Sequence, residues 1–189
     1  MGSELHIKNM VCNRCIKVIN DEFEKIGLNI EHIELGLVKL TEDVDDATLV
    51  QVKNLLDENG FELIDDKKSQ IIDKVKTLII QNIHYGAEIP DTNNSSDFLA
   101  SELGYDYSYL SKLFSSVVGI TIEKYIINQK LEKVKELLVY DELSLKEIAY
   151  KLGYSSVQYL SNQFKKNTGL TPSQFKKLKE NQRKPLDEV

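Results

Sequence analysis

The hydrophobic pattern of the chain changes about a third of the way along. Up to residue 66, short segments in which apolar and polar residues alternate are separated by two segments with helical spacing. In chain order these are a strand with Leu5 and Ile7, a helix with apolar positions from Ile16 to Ile26, two strands around Gly36, a helix from Asp45 to Gly60, and a strand from Phe61 to Ile64. The order β-α-β-β-α-β predicts a ferredoxin-like sandwich over residues 1–66.

Helical spacing dominates the rest of the chain. Residues 67–70 are polar and charged, so they are predicted to be a linker. Apolar positions from Ile71 onward then recur at helical intervals, which predicts an all-α domain over residues 71–180 and a C-terminal tail over 181–189. The chain is therefore predicted to be of the α+β class.

The helical part contains an internal duplication. The segment YLSKLFSSVVGIT, residues 109–121, matches YLSNQFKKNTGLT, residues 159–171, at a constant offset of fifty, and Gly-Tyr precedes each copy. Before the second copy, Ser144 and Glu147 have the spacing of a capping box, which predicts a helix start. A short helix, a glycine turn and a second helix make up a helix-turn-helix unit, so the duplication predicts two such units.

These motifs resemble the C-terminal domain of AraC-type transcription regulators. The second copy carries the resemblance most closely, in EIAYKLGYSSVQYLSNQFKKNTGLTPSQFKK, which includes the Gly-x-Thr-Pro element at Gly169 to Pro172. The resemblance implies seven helices, two helix-turn-helix units joined by a linking helix, and binding to double-stranded DNA. Residues from Ile122 to Leu138 contain no glycine or proline and fit the linking helix.

The same resemblance implies which side chains would contact DNA. The second recognition helix would present Ser156, Val157, Gln158 and Asn162 to the bases, with Lys165 and Lys166 near the phosphates. The first would present Tyr107, Ser108, Ser111, Lys112 and Ser115. Many family members have basic residues where this chain has Ser115 and Ser116, so the first unit is expected to contribute less sequence-independent affinity. Lys130 stands where the family commonly has arginine, a position that can be structural.

Charge is distributed unevenly along the chain. The formal net charge is −6, yet residues 151–184 hold eight Lys and Arg against the single acid Glu180. This stretch indicates a polyanionic partner at that end, although a solvated lysine-rich tail would have the same composition. No apolar run is long enough to span a membrane and no secretory signal is evident, so a cytoplasmic protein with reduced thiols is expected. No catalytic motif is recognisable, and the chain is predicted not to be an enzyme.

The two cysteines form a pattern of their own. Cys12 and Cys15 lie in MVCNRC, between the first predicted strand and the first predicted helix. Within a β-α-β-β-α-β unit this Met-x-Cys-x-x-Cys motif resembles the heavy-metal-associated domain, and the resemblance implies a two-thiolate site for Cu(I) or another soft metal ion. A redox couple and a vestigial site remain alternatives, whereas a closed zinc site would need four ligands.

Together these features predict a transcription regulator in which a metal-binding domain controls a DNA-binding domain. The expected partners are operator DNA and RNA polymerase, with no membrane. Two helix-turn-helix units in one chain allow a monomer to bind DNA, so a monomer or weak homodimer is expected. The alternative is a metal-trafficking or thiol-sensing protein whose helical domain docks a protein partner.

Overall fold

The computed structural model describes residues 2–64, 66–86, 95–177 and 186–188. Its elements are β1 (Glu4–Lys8), α1 (Asn13–Lys25), β2 (Ile30–Glu34), β3 (Leu37–Leu40), α2 (Asp46–Glu58), β4 (Glu62–Leu63), α3 (Lys67–Tyr85), α4 (Ser95–Leu103), α5 (Tyr107–Val118), α6 (Ile122–Tyr140), α7 (Leu145–Lys151), α8 (Val157–Thr168), α9 (Pro172–Lys177) and a 3-10 turn (Leu186–Glu188). In the described part of the chain, no helix is both long and apolar enough to cross a membrane.

The first six elements form a small sheet unit. Their order, β-α-β-β-α-β, is the order of strands and helices predicted from the sequence. The strands are arranged β2-β3-β1-β4, and every adjacent pair is antiparallel. Leu5 and Ile7 alternate inward from β1, and the core that they join includes Phe23 of α1 and Leu56 of α2, both fully buried. The sheet and its two helices thus share one apolar core.

Seven α-helices, α3 to α9, follow the sheet within the described residues, as the resemblance implied. They build two apolar cores. The first joins α3, α4, α5 and the start of α6, and the second joins the rest of α6 with α7, α8 and α9. Because α6 contributes Ile122 and Tyr125 to the first core and Leu131 and Val134 to the second, it is the shared support of both.

Residues 67–70, which are predicted to be a linker, form the first turn of α3. The Asp66 carboxylate accepts hydrogen bonds from the backbone N–H groups of Lys68 (3.0 Å) and Ser69 (2.9 Å), so it caps a helix that begins at once. These residues are polar because they form the capped first turn of a helix at the protein surface.

Two further contacts tie distant segments together. The backbone N–H of Asn9, just after β1, points at the carboxylate of Asp73 in α3 at 3.5 Å. In the predicted tail, the carbonyl of Leu186 accepts a hydrogen bond of 2.9 Å from the fully buried Gln129 of α6. The sheet unit and the 3-10 turn are both held against the helical unit.

Candidate nucleic-acid interface and cysteine pair

The two helix-turn-helix units repeat each other in backbone geometry. In the first unit Gly104 separates α4 from α5 with φ of 69°, and in the second Gly153 separates α7 from α8 with φ of 68°. Both values lie in the left-handed region, where glycine avoids the steric cost of a side chain. The helices α5 and α8 then end at Gly119 and Gly169, each with φ of 80°. The sequence repeat is therefore a structural repeat.

The repeat also fixes which side of each second helix faces outward. Leu110 and Phe114 in α5, like Leu160 and Phe164 in α8, are completely buried. Their spacing of four residues is that of an inward stripe on a helix, so the opposite side is left to solvent.

Two tyrosines on the outer flank were not predicted. Tyr109 is 43% exposed and Tyr159 is 54% exposed, and each packs on a neighbouring ring, Tyr105 at 5.5 Å and Tyr154 at 6.1 Å. The signal was present in the sequence: both tyrosines match at the offset of fifty, and both come one residue before a buried leucine. A residue adjacent to the inward stripe lies on its edge, where an aromatic side chain is partly accessible.

The outward side of α8 carries four of the six side chains predicted for the second unit. Gln158, Asn162, Lys165 and Lys166 are all exposed. The Gln158 side-chain amide donates a hydrogen bond of 3.0 Å to the Asn162 oxygen, which holds the two amides as a pair. No acidic residue occurs in α8, so its exposed side combines amides and positive charge.

The remaining two residues have roles in the fold. The Ser156 hydroxyl accepts a hydrogen bond of 3.1 Å from the backbone N–H of Tyr159 and so caps α8. Val157 is half-buried against the second core. Both lie at the helix start, but their side chains are already engaged within the protein.

The outward side of α5 is less polar and less positive. Ser108 and Lys112 are exposed, and Ser111 and Ser115 are half-buried. Lys112 is the one basic residue of this helix. The exposed Asp106 precedes the helix at its capping position, where a carboxylate would oppose an approaching phosphate. The first unit thus presents fewer positive side chains on this helix than the second unit presents on α8.

Tyr107 differs from the other predicted residues of α5. Its hydroxyl donates a hydrogen bond of 2.6 Å to the Glu123 carboxylate at the start of α6. Burial is the main cause that raises the pKa of Tyr107 well above its usual range, and this hydrogen bond adds to the rise. The side chain is thus engaged in joining α5 to α6.

Lys130 has a structural position. It is 6% exposed, its ammonium donates a hydrogen bond of 2.8 Å to the carbonyl of Leu152, and it lies 5.6 Å from the centre of the Tyr154 ring. The carbonyl and the ring flank the glycine turn of the second unit. Lys130 therefore links α6 to that turn through this hydrogen bond.

The cysteine pair lies at the start of α1, on the side of the sheet unit that faces the helical unit. Both thiols are free, and their sulfurs are 3.5 Å apart. Asn9 precedes them with φ of 71°, a left-handed conformation that asparagine adopts more readily than most residues. Met10 is fully buried in the core of the sheet unit, beneath the loop. The loop is therefore anchored from below while its sulfurs remain partly exposed.

The two thiols differ in their surroundings. Burial acts to raise the pKa of Cys12, but hydrogen bonds with Cys15, the backbone N–H of Arg14 and the Tyr85 hydroxyl outweigh it, so this pKa lies below its ordinary value. Burial raises the pKa of Cys15, and its interaction with the Cys12 sulfur adds to that rise. Cys12 is the more readily ionised sulfur of the pair, as a metal ligand needs to be.

The two thiols are the main candidate metal ligands at this site. Across the residues that the structure describes, no group of three or more His, Cys, Asp or Glu side chains is placed to hold a metal ion. Two thiols from one loop fit a soft ion that accepts two sulfur ligands, and they do not fit the four-ligand closed zinc site.

Comparison with known proteins identifies the helical unit. A helix-turn-helix domain model matches residues 99–178. An HTH-type transcriptional regulator of Pseudoalteromonas carrageenovora is 32% identical over 124 residues, which cover 65% of this chain and 72% of the relative. The chain belongs to the AraC-type helix-turn-helix family of transcription regulators.

Further matches differ in how much of their own length this chain covers. The xylose operon regulatory protein of Escherichia coli K12 is 36% identical over 98 residues, which cover 52% of this chain and only 25% of that protein. Among solved structures, the C-terminal domain of AraT, a response regulator from Geobacillus stearothermophilus, covers 59% of this chain and 87% of its own, with 28% identity and a TM-score of 0.49.

Family membership confirms the coarse part of the functional prediction. AraC-type regulators bind DNA and are not enzymes, so both expectations hold for this chain. The matched region, residues 99–178, begins within α4 and includes the rest of both helix-turn-helix units. Cys12 and Cys15 lie outside it, so the comparisons leave the metal-binding prediction untested.

Proposed function

We propose that this AraC-type regulator contacts operator DNA mainly through the exposed side of α8 and secondarily through that of α5. The observation that carries the proposal is the repeated outward face, which bears Gln158, Asn162, Lys165 and Lys166 in the second unit. Paired amides can bond to adenine in the major groove, and lysines neutralise phosphates. With 19 residues, α6 is about 28 Å long, which is comparable with one turn of the duplex at about 34 Å.

Lysine substitution tests the assignment of α8. We expect Lys165→Gln with Lys166→Gln to weaken binding to all duplexes alike and to reduce the salt slope of log K by about 2, since each phosphate contact contributes about 0.9. Fluorescence anisotropy over a salt series measures both quantities, with a duplex selected from a random library by the wild-type protein.

Two matched variants control this experiment. Lys112→Gln in α5 should reduce the slope by about 1 or less. Lys176→Gln should change it little, because Lys176 is paired with Asp141 outside both recognition helices. An unchanged slope in the double variant of α8 would show that this face does not meet the phosphates.

We further propose that the sheet unit is a ferredoxin-like domain of the heavy-metal-associated type, and that it binds a soft metal ion such as Cu(I) through Cys12 and Cys15. Three observations support this: the strand order β2-β3-β1-β4, the left-handed Asn9 before the loop, and two sulfurs 3.5 Å apart with one of lowered pKa. When bound, Cu(I) would neutralise thiolate charge in the loop that faces the helical unit.

Replacement of both cysteines by serine tests this second proposal. The double variant Cys12→Ser, Cys15→Ser should lose Cu(I) binding in anaerobic competition with a chelator. Its metal-free DNA affinity should equal that of the wild type, because neither thiol is in the helix-turn-helix units. Any change of DNA affinity that Cu(I) causes in the wild type should disappear.

Reductant and a second ion complete the test. A response to Cu(I) that persists in excess reductant excludes disulfide formation as its cause, and Zn(II) tests the preference for a soft ion. Equal Cu(I) affinity in wild type and double variant would refute the metal site and leave the DNA-binding proposal intact.

A further inference from the structure

A cleft of about 340 Å³ separates the two helix-turn-helix units. Tyr107 of α5 and Glu123 at the start of α6 line it on one side, and Gly153 and Gln163 of the second unit line it on the other. Among the described residues, neither apolar core contains side chains from both α5 and α8. Apolar packing therefore holds each recognition helix on α6 without joining the two helices to each other.

Two consecutive residues of α6 each contact one recognition helix. The Glu123 carboxylate accepts the hydrogen bond of 2.6 Å from the hydroxyl of Tyr107, the first residue of α5. The Lys124 ammonium donates a hydrogen bond to the side-chain oxygen of Asn167, in the last turn of α8. We call Tyr107, Glu123, Lys124 and Asn167 the α6 bridge. It connects α5 to α8 through two neighbouring positions on a single helix.

The contact made by Lys124 crosses from one unit to the other. Ile122 and Tyr125, on either side of Lys124 in the sequence, are buried in the first core, whereas α8 packs in the second. Asn167 is in turn held by its own helix, because its side-chain amide donates a hydrogen bond of 2.8 Å to the carbonyl of Gln163. The start of α6 is therefore tied to the second recognition helix as well as to the first.

We propose that the α6 bridge fixes the separation and orientation of α5 and α8, and thereby determines which spacing between two DNA half-sites the regulator accepts. The four residues of the bridge are positioning residues, since they act by holding the helices that meet the DNA. This inference rests on the proposed function, in which both α5 and α8 contact the operator.

The geometry of the duplex sets the demand on the bridge. One base pair added between two half-sites moves one of them by about 3.4 Å along the DNA axis and by about 35° around it. Hydrogen bonds are lost once donor and acceptor separate beyond about 3.5 Å, so they do not survive a displacement of this size. To place both units on the altered operator, the protein must break a contact of the bridge. The net contribution of one hydrogen bond corresponds to about twofold to tenfold in affinity.

The double variant Tyr107→Phe, Asn167→Ala tests the proposal because it removes both contacts of the bridge and keeps the Tyr107 ring. Hydroxyl-radical footprinting of the wild type locates the half-sites on the selected duplex, and one base pair is then inserted or deleted between them. The spacing ratio is the Kd on the altered duplex divided by the Kd on the selected duplex, measured with the same protein by fluorescence anisotropy. We expect a wild-type ratio of at least about five, and a ratio about twofold to tenfold lower in the double variant.

Tyr109→Phe combined with Asn167→Asp is the matched control. It also removes one tyrosine hydroxyl from α5 and replaces Asn167, but it keeps Tyr107 and an oxygen that accepts from Lys124, so the spacing ratio should equal that of the wild type. A uniform loss of affinity or of folded protein cancels in the ratio, because both duplexes are measured with one protein. The salt slope of log K should be unchanged in both double variants, since neither removes a lysine.

Selection from a random duplex library gives a second readout. The wild type should return half-sites at one spacing, and the double variant without the bridge should return them at more than one.

The outcomes separate this inference from the proposed function. The same spacing ratio in the wild type and in Tyr107→Phe, Asn167→Ala overturns the role of the bridge and leaves DNA contact by α5 and α8 standing. A ratio near one in the wild type shows that the two units do not engage the duplex together, which overturns both. A ratio lowered equally in the control variant shows that the individual side chains, and not the bridge, set the spacing, which also overturns the inference.

Discussion

Phe164→Ala is expected to lower the free energy of unfolding by about 3–5 kcal/mol. Phe164 is completely buried in the second core of the helical unit, and its ring meets that of Phe175 edge to face at 5.5 Å. Removal of the ring leaves a cavity where α8 and α9 meet, and it also removes an aromatic pair. Urea denaturation followed by circular dichroism measures the loss.

The duplication supplies a matched variant for this experiment. Phe114, fifty residues earlier, is equally buried and lies 5.4 Å from the Tyr125 ring, so Phe114→Ala should cost a similar amount. Tyr150→Ala is the control, because Tyr150 is 88% exposed and its loss should change stability by less than about 0.5 kcal/mol. A cost below about 1 kcal/mol for Phe164→Ala would contradict the assignment of this residue to the core.

The sequence predicted those features of the fold that depend on local pattern. Alternation in β1, helical spacing in α1 and α2, and the glycines that end these helices were enough to give the order β-α-β-β-α-β. The second helix-turn-helix unit was predictable for the same reason: the capping box at Ser144 and Glu147 is present as both of its hydrogen bonds, 3.3 Å and 2.8 Å. Such signals act over three or four residues, so a single sequence reveals them.

Features that depend on contacts between distant segments were not predictable in this way. Residues 67–70 resemble a linker in composition, and only the cap by Asp66 shows that they are helical. Tyr107 is predicted to face DNA, and no signal in the sequence indicates that its hydroxyl donates a hydrogen bond to Glu123, sixteen residues later. Tyr85 and Cys12 line the same cleft although they are more than seventy positions apart, so no local spacing indicates that they lie close together.

Asp73 is another residue whose importance appears only in three dimensions. It lies in α3 and is 8% exposed, and it faces the Asn9 backbone N–H from across the boundary between the two units. Burial raises the pKa of Asp73 from 3.8 to about 6, the Asn9 N–H and the charges of Lys76 and Lys8 act in the opposite direction, and Glu62 adds to the rise. Near neutral pH, the buried and ionised carboxylate of Asp73 therefore destabilises the folded state.

The sign of the resulting pH dependence follows from linkage. Between pH 3.8 and about 6 the folded state retains a proton on Asp73 that the unfolded state has lost, so this residue makes the protein less stable as pH rises through that range. Above about pH 6, Asp73 is ionised in both states and its full destabilising effect is present. The difference between its folded and unfolded pKa values corresponds to about 3 kcal/mol of unfolding free energy at most.

Asp73→Asn removes the titrating group while keeping an oxygen that can accept the Asn9 hydrogen bond. The stability of the variant relative to the wild type should therefore rise between about pH 4.5 and about pH 7.5, by an amount on the order of 1–3 kcal/mol. Urea denaturation of both proteins across this range measures the difference between their free energies of unfolding. The titration of all other groups is common to both proteins and drops out of this difference.

An exposed aspartate with the opposite shift provides the control. Asp45 caps α2, and hydrogen bonds with Thr48 lower its pKa, so its carboxylate stabilises the fold and that contribution is lost as pH falls. The relative stability of Asp45→Asn should consequently fall, or stay level, over the pH range in which that of Asp73→Asn rises. A difference between Asp73→Asn and wild type that does not vary with pH would mean that Asp73 is ionised in the folded protein without penalty, and that the boundary between the two units is open to water at this carboxylate.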